Sequence, residues 1–83
     1  ARVGEGVRLG QGVKLTDPDL VTLGDGAALS QAVRLVGSVV RGGQLTRGPV
    51  EVGPECRLHT HAMMLPNSRL GQGVRLEAGA VVQ

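Results

Sequence analysis

The sequence predicts an all-β fold: a parallel β-helix of about four triangular coils, with a hairpin or loop excursion near residues 37–50. Three observations predict it. Aliphatic residues recur every sixth position in four trios: Val3, Leu9, Leu15; Leu23, Leu29, Leu35; Val52, Leu58, Met64; and Leu70, Leu76, Val82. Glycines follow these aliphatics by one or three places, as in Gly4, Gly6, Gly10, Gly12, Gly24 and Gly26. The chain has no Phe, Tyr or Trp, which suits a narrow core of Val, Leu and Ala. A step of six fits neither the 3.6-residue helix nor a heptad. Fixed internal repeats of this kind mark solenoids.

The first elements show the design. Residues Val3–Lys14 read V-G-E-G-V-R and then L-G-Q-G-V-K. Each hexad is one short strand and one corner, with the aliphatic side chain inward and the base outward. Gly makes the corner because it turns without a Cβ clash. The position four after each aliphatic is small or β-branched at Val7, Val13, Ala27, Val33, Val39, Cys56, Ala62, Ser68, Val74 and Ala80, with Asp19 the one misfit. Three hexads close a coil. Coils paired at about 4.8 Å make four coils roughly 20 Å tall.

The period breaks twice. Leu15 to Leu23 is a step of eight instead of six. Pro18 lies in it and brings no N–H to a ladder, so the extra residues form an enlarged corner. Leu35 to Val52 is a gap of seventeen. There Gly42-Gly43 stands between Val39-Val40 and Leu45-Thr46, the signal of a hairpin with a two-residue turn. The alternative is one distorted coil with poor hexads. The last two coils, Val52–Val82, are regular again.

An 83-residue chain is one domain, residues 1–83. A short globular chain has a marginal core, but a solenoid buries each coil against the next. With no capping element in view, the chain is expected to be a fragment of a longer protein. Net charge is +2, with the bases spread one per hexad at Arg8, Lys14, Arg34, Arg57, Arg69 and Arg75. That pattern reads as a solvated ladder on the outer faces, diluted by Asp and Glu. It does not point to nucleic acid, and there is no aromatic platform for bases. One Cys allows no disulfide framework. No signal peptide and no apolar run of membrane-span length is present.

His59 and His61 are the only histidines and follow Leu58 by one and three places. An imidazole at a corner facing a neighbouring subunit is a candidate general base for acyl transfer. The plainer account is two solvent-facing corner residues, since nothing in the sequence fixes either ring. Two histidines are too few for a three-ligand catalytic zinc site, so no metal is expected. Cys56 and Met64 fall on inward positions and read as core. The G-x-G units are not a dinucleotide fingerprint, which needs a third Gly three places on and a strand-to-helix context.

The hexads resemble the hexapeptide-repeat acyltransferase superfamily, over essentially the whole chain. That resemblance implies a left-handed β-helix. A closer one is carried by Thr16-Asp17-Pro18-Asp19-Leu20-Val21-Thr22-Leu23-Gly24-Asp25 and by Leu35–Gly53. These look like the β-helical terminal domains of polylysine-synthetase-type, peptide-synthetase-like proteins. There, an aspartate-rich step precedes a hexad restart, a hairpin excursion and two regular coils. The family's excursion usually opens with His, followed shortly by Phe-Glu-Asp. By position these are Ser38, then Val40, Arg41 and Gly42 here.

The resemblance implies an acyltransferase-type domain of a carrier-dependent enzyme. Its acyl donor would be a pantetheine thioester, on CoA or a carrier protein, with no tightly bound cofactor. In the superfamily, clefts form between prisms of a trimer. A base would come from His59 or His61, and the excursion loop would form one wall, which makes Ser38 and Arg41 the candidate substrate-binding residues. The partners implied are carrier or adenylation domains of the same polypeptide, or a homotrimer packed through the prism faces. The compartment implied is cytoplasmic, with membrane association through other parts of the full-length chain. The other reading is a non-catalytic scaffold or interaction domain, which Ser38 in place of His favours.

Overall fold

Six residues leave room for one short strand and one corner, and the computed structural model, which describes residues 2–82, is all-β and built that way. Its strands, numbered in chain order, form three parallel sheets of four. The first sheet holds β1 (Arg2–Val3), β4 (Val21–Leu23), β9 (Val50–Val52) and β12 (Ser68–Leu70). The second holds β2 (Arg8–Leu9), β5 (Ala28–Leu29), β10 (Arg57–Leu58) and β13 (Arg75–Leu76). The third holds β3 (Lys14–Thr16), β6 (Arg34–Val36), β11 (Met63–Met64) and β14 (Val81–Val82). The chain therefore visits the three sheets in turn, four times over. A separate antiparallel pair, β7 (Ser38–Arg41) and β8 (Gln44–Arg47), stands between the second and third rounds.

The hexad phase sets the register. Val3, Leu23, Val52 and Leu70 align across the first sheet. Leu9, Leu29, Leu58 and Leu76 align across the second, and Leu15, Leu35, Met64 and Val82 across the third. Strand side chains alternate between faces. The aliphatics of the two middle rounds are therefore buried, each within 3% of full enclosure from Leu23 to Met64. Full burial of such a side chain contributes about 1.5–3 kcal/mol. In the outer rounds a strand has a neighbour on one side only. There Leu9 is 51% exposed and Leu76 half-buried, so the expectation that all four leucines of this row are enclosed holds fully only for Leu29 and Leu58.

The inner layer of small residues needs a correction. Four places after one aliphatic is also two places before the next, whenever the step is six. The two rules part only where the step changes. Counting forward puts Asp19 and Val39 inside; counting back puts Val21 and Val50 inside. Val21, Val50 and Ser68 are aligned and buried, whereas Asp19 is exposed and Val39 is only half-buried in β7. The small residue belongs to the strand it enters, because period-two alternation ties it to the next aliphatic.

Corners close with one left-handed residue, three places after the aliphatic. Its N–H reaches the preceding round, as in Gly26 N–H to Glu5 O (2.8 Å) and His61 N–H to Gln31 O (3.1 Å). Gly takes this conformation freely, and Gly26 has φ 71°. Ala32, Glu55, His61 and Asn67 take it too, with φ between 58° and 65°. The left-handed backbone costs a side-chain-bearing residue roughly 1–2 kcal/mol. After Leu15 the equivalent position is Pro18, whose ring forbids positive φ. Asp17 turns there instead, at φ 59°, and a 3₁₀ turn over Pro18–Leu20 uses the two extra residues.

The hairpin turns at Gly42-Gly43, with Arg41 opposite Gln44 and both glycines at positive φ, as a type I′ turn requires. It is shorter than the 37–50 excursion expected. Gly48 donates its N–H to Gly37 O at 3.0 Å, which closes the base, and Val50 is fully buried in β9. Only residues 38–47 leave the body. The enlarged corner holds the hairpin down: the Ser38 hydroxyl donates to the Asp17 carboxylate, and Arg47 lies 3.7 Å from both Asp17 and Asp19. Gly37 allows this contact, since a Cβ there would stand 3.1 Å from Asp17 Cβ.

Candidate functional site

Both histidines lie on the corner from β10 to β11, and its backbone is well held. His59 donates its N–H to Leu76 O at 3.1 Å, and Ala62 donates back to His59 O at 3.1 Å. The rings are not held in the same way. Among the described residues, neither imidazole makes a hydrogen bond or an ion pair. His61 is exposed and occupies the left-handed corner position, which aims its N–H at the neighbouring round. His59 is half-buried and lines an open depression of about 580 Å³ with Arg8, Ala28, Ser30 and Arg57. The structure therefore separates the two: His59 faces a concave surface, and His61 lines none of the depressions described.

Ser38 and Arg41 lie elsewhere. The hairpin leaves the corner between the third and first sheets, whereas the histidines are on the corner between the second and third. Within one chain the structure does not bring the candidate base to the candidate loop wall. The Ser38 hydroxyl is committed to Asp17. Arg41 borders a small depression of about 120 Å³ with Val39, Thr46, Leu65 and Pro66. This surface is mostly apolar, and among the depressions described it is the only one where the hairpin meets the body over a hollow.

Cys56 is fully buried and its thiol lies 2.9 Å from the Gly71 carbonyl, as a core residue capping a neighbouring round. Among the described residues, no three His, Cys, Asp or Glu side chains stand together as a metal site requires. No helix among them is long and apolar enough to cross a membrane.

The depression around His59 was missed in the sequence, although its signal was there. Arg8, Ala28, Arg57 and Arg75 share one phase, each directly before an inward leucine, and they align across the second sheet. The ladder of bases has one rung missing, at Ala28. Recognising it needs the stacking register, because Arg8 and Arg57 are far apart in sequence. Comparison with protein-family models, with curated proteins and with solved structures finds no match for the chain.

Proposed function

We propose that the three sheets are the faces of a left-handed parallel β-helix of the hexapeptide-repeat type, and that the chain is an acyltransferase-type domain of a carrier-dependent, peptide-synthetase-like enzyme. The observation that carries this reading is the ordered return of the chain to each sheet with the hexad aliphatics in register. His59 is the residue we assign as base. It stands at the rim of a depression that also offers the Ser30 hydroxyl and the Arg8 and Arg57 guanidinium groups. An acyl-pantetheine thioester lying along this face would place its carbonyl near Ser30 and Arg57, which supply donors for a developing oxyanion. His59 would take the proton of an attacking amine or alcohol. The hairpin of one prism would complete the cleft on a neighbouring prism, which reconciles the separate corners.

A second reading has its own observation. With both rings unpartnered and Ser38 bound to Asp17, the chain is a β-helical scaffold that packs against carrier or adenylation domains without chemistry of its own. An assay with acyl-pantetheine thioesters and a panel of amines and alcohols decides between them, using the parent, His59→Ala, His61→Ala and Ser38→His. The enzyme reading expects turnover that His59→Ala abolishes and His61→Ala leaves intact. Absence of turnover in both the parent and Ser38→His favours the scaffold, and turnover only in Ser38→His marks a degenerate transferase. Both His variants are expected to change stability by less than about 1 kcal/mol.

A further inference from the structure

The outer face of the second sheet carries a concentration of positive charge that the fold does not neutralise. Arg8 and Arg57 each pair in register with Ala28, one on either side. Their Cα atoms are thus two strand spacings apart, roughly 9–10 Å. Between them is only a methyl group. Ser30 and His59 close one rim, and Gly6 and Gly26 leave the opposite rim low. The resulting hollow of about 580 Å³ falls within the range of roughly 300–1,000 Å³ typical of small-molecule sites.

The counter-charges lie elsewhere. The ion pairs among the described residues involve Arg47 and Arg69, not Arg8 or Arg57. On the first sheet the equivalent outward base, Arg69, is matched by Glu51 in the next strand. On the second sheet the residue between the arginines is Ala28, and no carboxylate lines the hollow. Glu5, Asp25 and Glu55 flank it on one corner, where Asp25 already accepts the Glu5 N–H at 2.8 Å, and Glu77 follows Leu76 on the other.

We propose that this hollow, between Arg8 and Arg57 with Ser30 and His59 at its rim, binds the phosphate end of a small organic phosphate. Guanidinium groups grip phosphate oxygens through paired N–H donors. Two of them facing one gap match a multiply charged group better than a single carboxylate. A hydroxyl and an imidazole supply further donors at the edge. The hollow is wider than a phosphate group, so it has room for an organic portion attached to one. The chain has no aromatic residue for stacking, which leaves the phosphate as the recognised part. The site rests on the Arg8 and Arg57 pair and not on a base, and it shares Ser30, Arg57 and His59 with the cleft proposed above.

The test is titration of the chain with inorganic pyrophosphate and with adenosine diphosphate, followed by amide chemical shifts and calorimetry. Saturable binding is expected, with shifts confined to residues around Arg8, Ala28, Ser30, Arg57 and His59. Arg8→Gln and Arg57→Gln should each weaken it about tenfold, the size of one charged hydrogen bond. Ala28→Glu, which puts a carboxylate in the gap, should abolish it. Arg34→Gln, on the third sheet, should leave it unchanged. Thermal melts verify that each variant is folded. Failure to saturate with either probe overturns the proposal, and so does a loss in Arg34→Gln equal to that in Arg57→Gln, which would mean diffuse attraction to a basic chain. The readouts here are binding and not turnover, so failure of this site and failure of the acyltransferase reading are distinguishable, although both draw on Ser30, Arg57 and His59.

Discussion

Replacing Gly24 by Ala is expected to be among the most damaging single-methyl changes in the chain. A Cβ at Gly24 would stand 2.5 Å from Pro54 N, 2.6 Å from Gly53 C and 2.9 Å from Pro54 Cα. All three are backbone atoms of the next round, so no rotamer change can make room. The rounds are also tied at this point by the hydrogen bond from Gly24 N–H to Val52 O at 2.7 Å. The methyl therefore forces the corner apart or breaks that bond. Overpacking of this kind costs typically 1–3 kcal/mol, and unyielding neighbours place Gly24 at the upper end, about 2–3 kcal/mol. For a domain of this size that lowers Tm by roughly 10–20 °C. Gly71 is the internal control. It holds the same place in the last round and has nothing within 4 Å of a Cβ. Gly71→Ala should be neutral or stabilising by up to about 1 kcal/mol, through the unfolded chain alone. Thermal melts and urea titrations of both variants measure this. Equal destabilisation by the two, or a Gly24→Ala variant as stable as the parent, refutes the stacking argument.

Two further outcomes follow from the burial pattern and the hairpin. Leu58→Ala should cost about 2–5 kcal/mol, as core truncations do, while Leu9→Ala in the same row, half exposed, should cost under about 1 kcal/mol by urea titration. Bridging residues 38 to 47 with a short Gly/Ser turn in place of 39–46 should keep the three sheets and shift stability by about 1 kcal/mol at most, because loop length is weakly penalised. Extending the deletion through Val50 should unfold the chain in the same circular dichroism assay, since that residue is fully buried.

The repeat made most of the fold legible. Twelve aliphatic positions at one spacing specify which strands pair and which residues align, because register in a parallel stack follows the hydrophobic phase. Gly42-Gly43 was readable for a local reason, since the primed turns of two-residue hairpins need positive φ at one or both central residues. What the sequence concealed was the inner partner of each aliphatic. With a constant step the forward and backward rules coincide, and only Val21 and Val50, after the irregular steps, tell them apart. The candidate site was less legible. His59 and His61 stood out as residue types, but their different exposure depends on which corner residue turns left-handed. The hollow beside His59 is made by Ala28, a residue with no chemistry to draw attention to it.

Both irregular steps occur on one edge of the molecule, where the third sheet hands over to the first. One round crosses that edge by a 3₁₀ turn, the next by a ten-residue hairpin, and the next by Pro66 and Asn67. After each, the chain re-enters the first sheet in phase, with Val21, Val50 and Ser68 in line. The edge thus behaves as a seam at which inserted segments of unequal length are spliced into a fixed weave. Variation confined to such a seam alters what the molecule displays without altering how it is woven. Successive inserts also lie one above another there, so that Ser38 and Arg47 of one reach Asp17 and Asp19 of the last. A lineage of such chains could change its exposed surface one insert at a time, each new segment tested against its neighbour and not against the core.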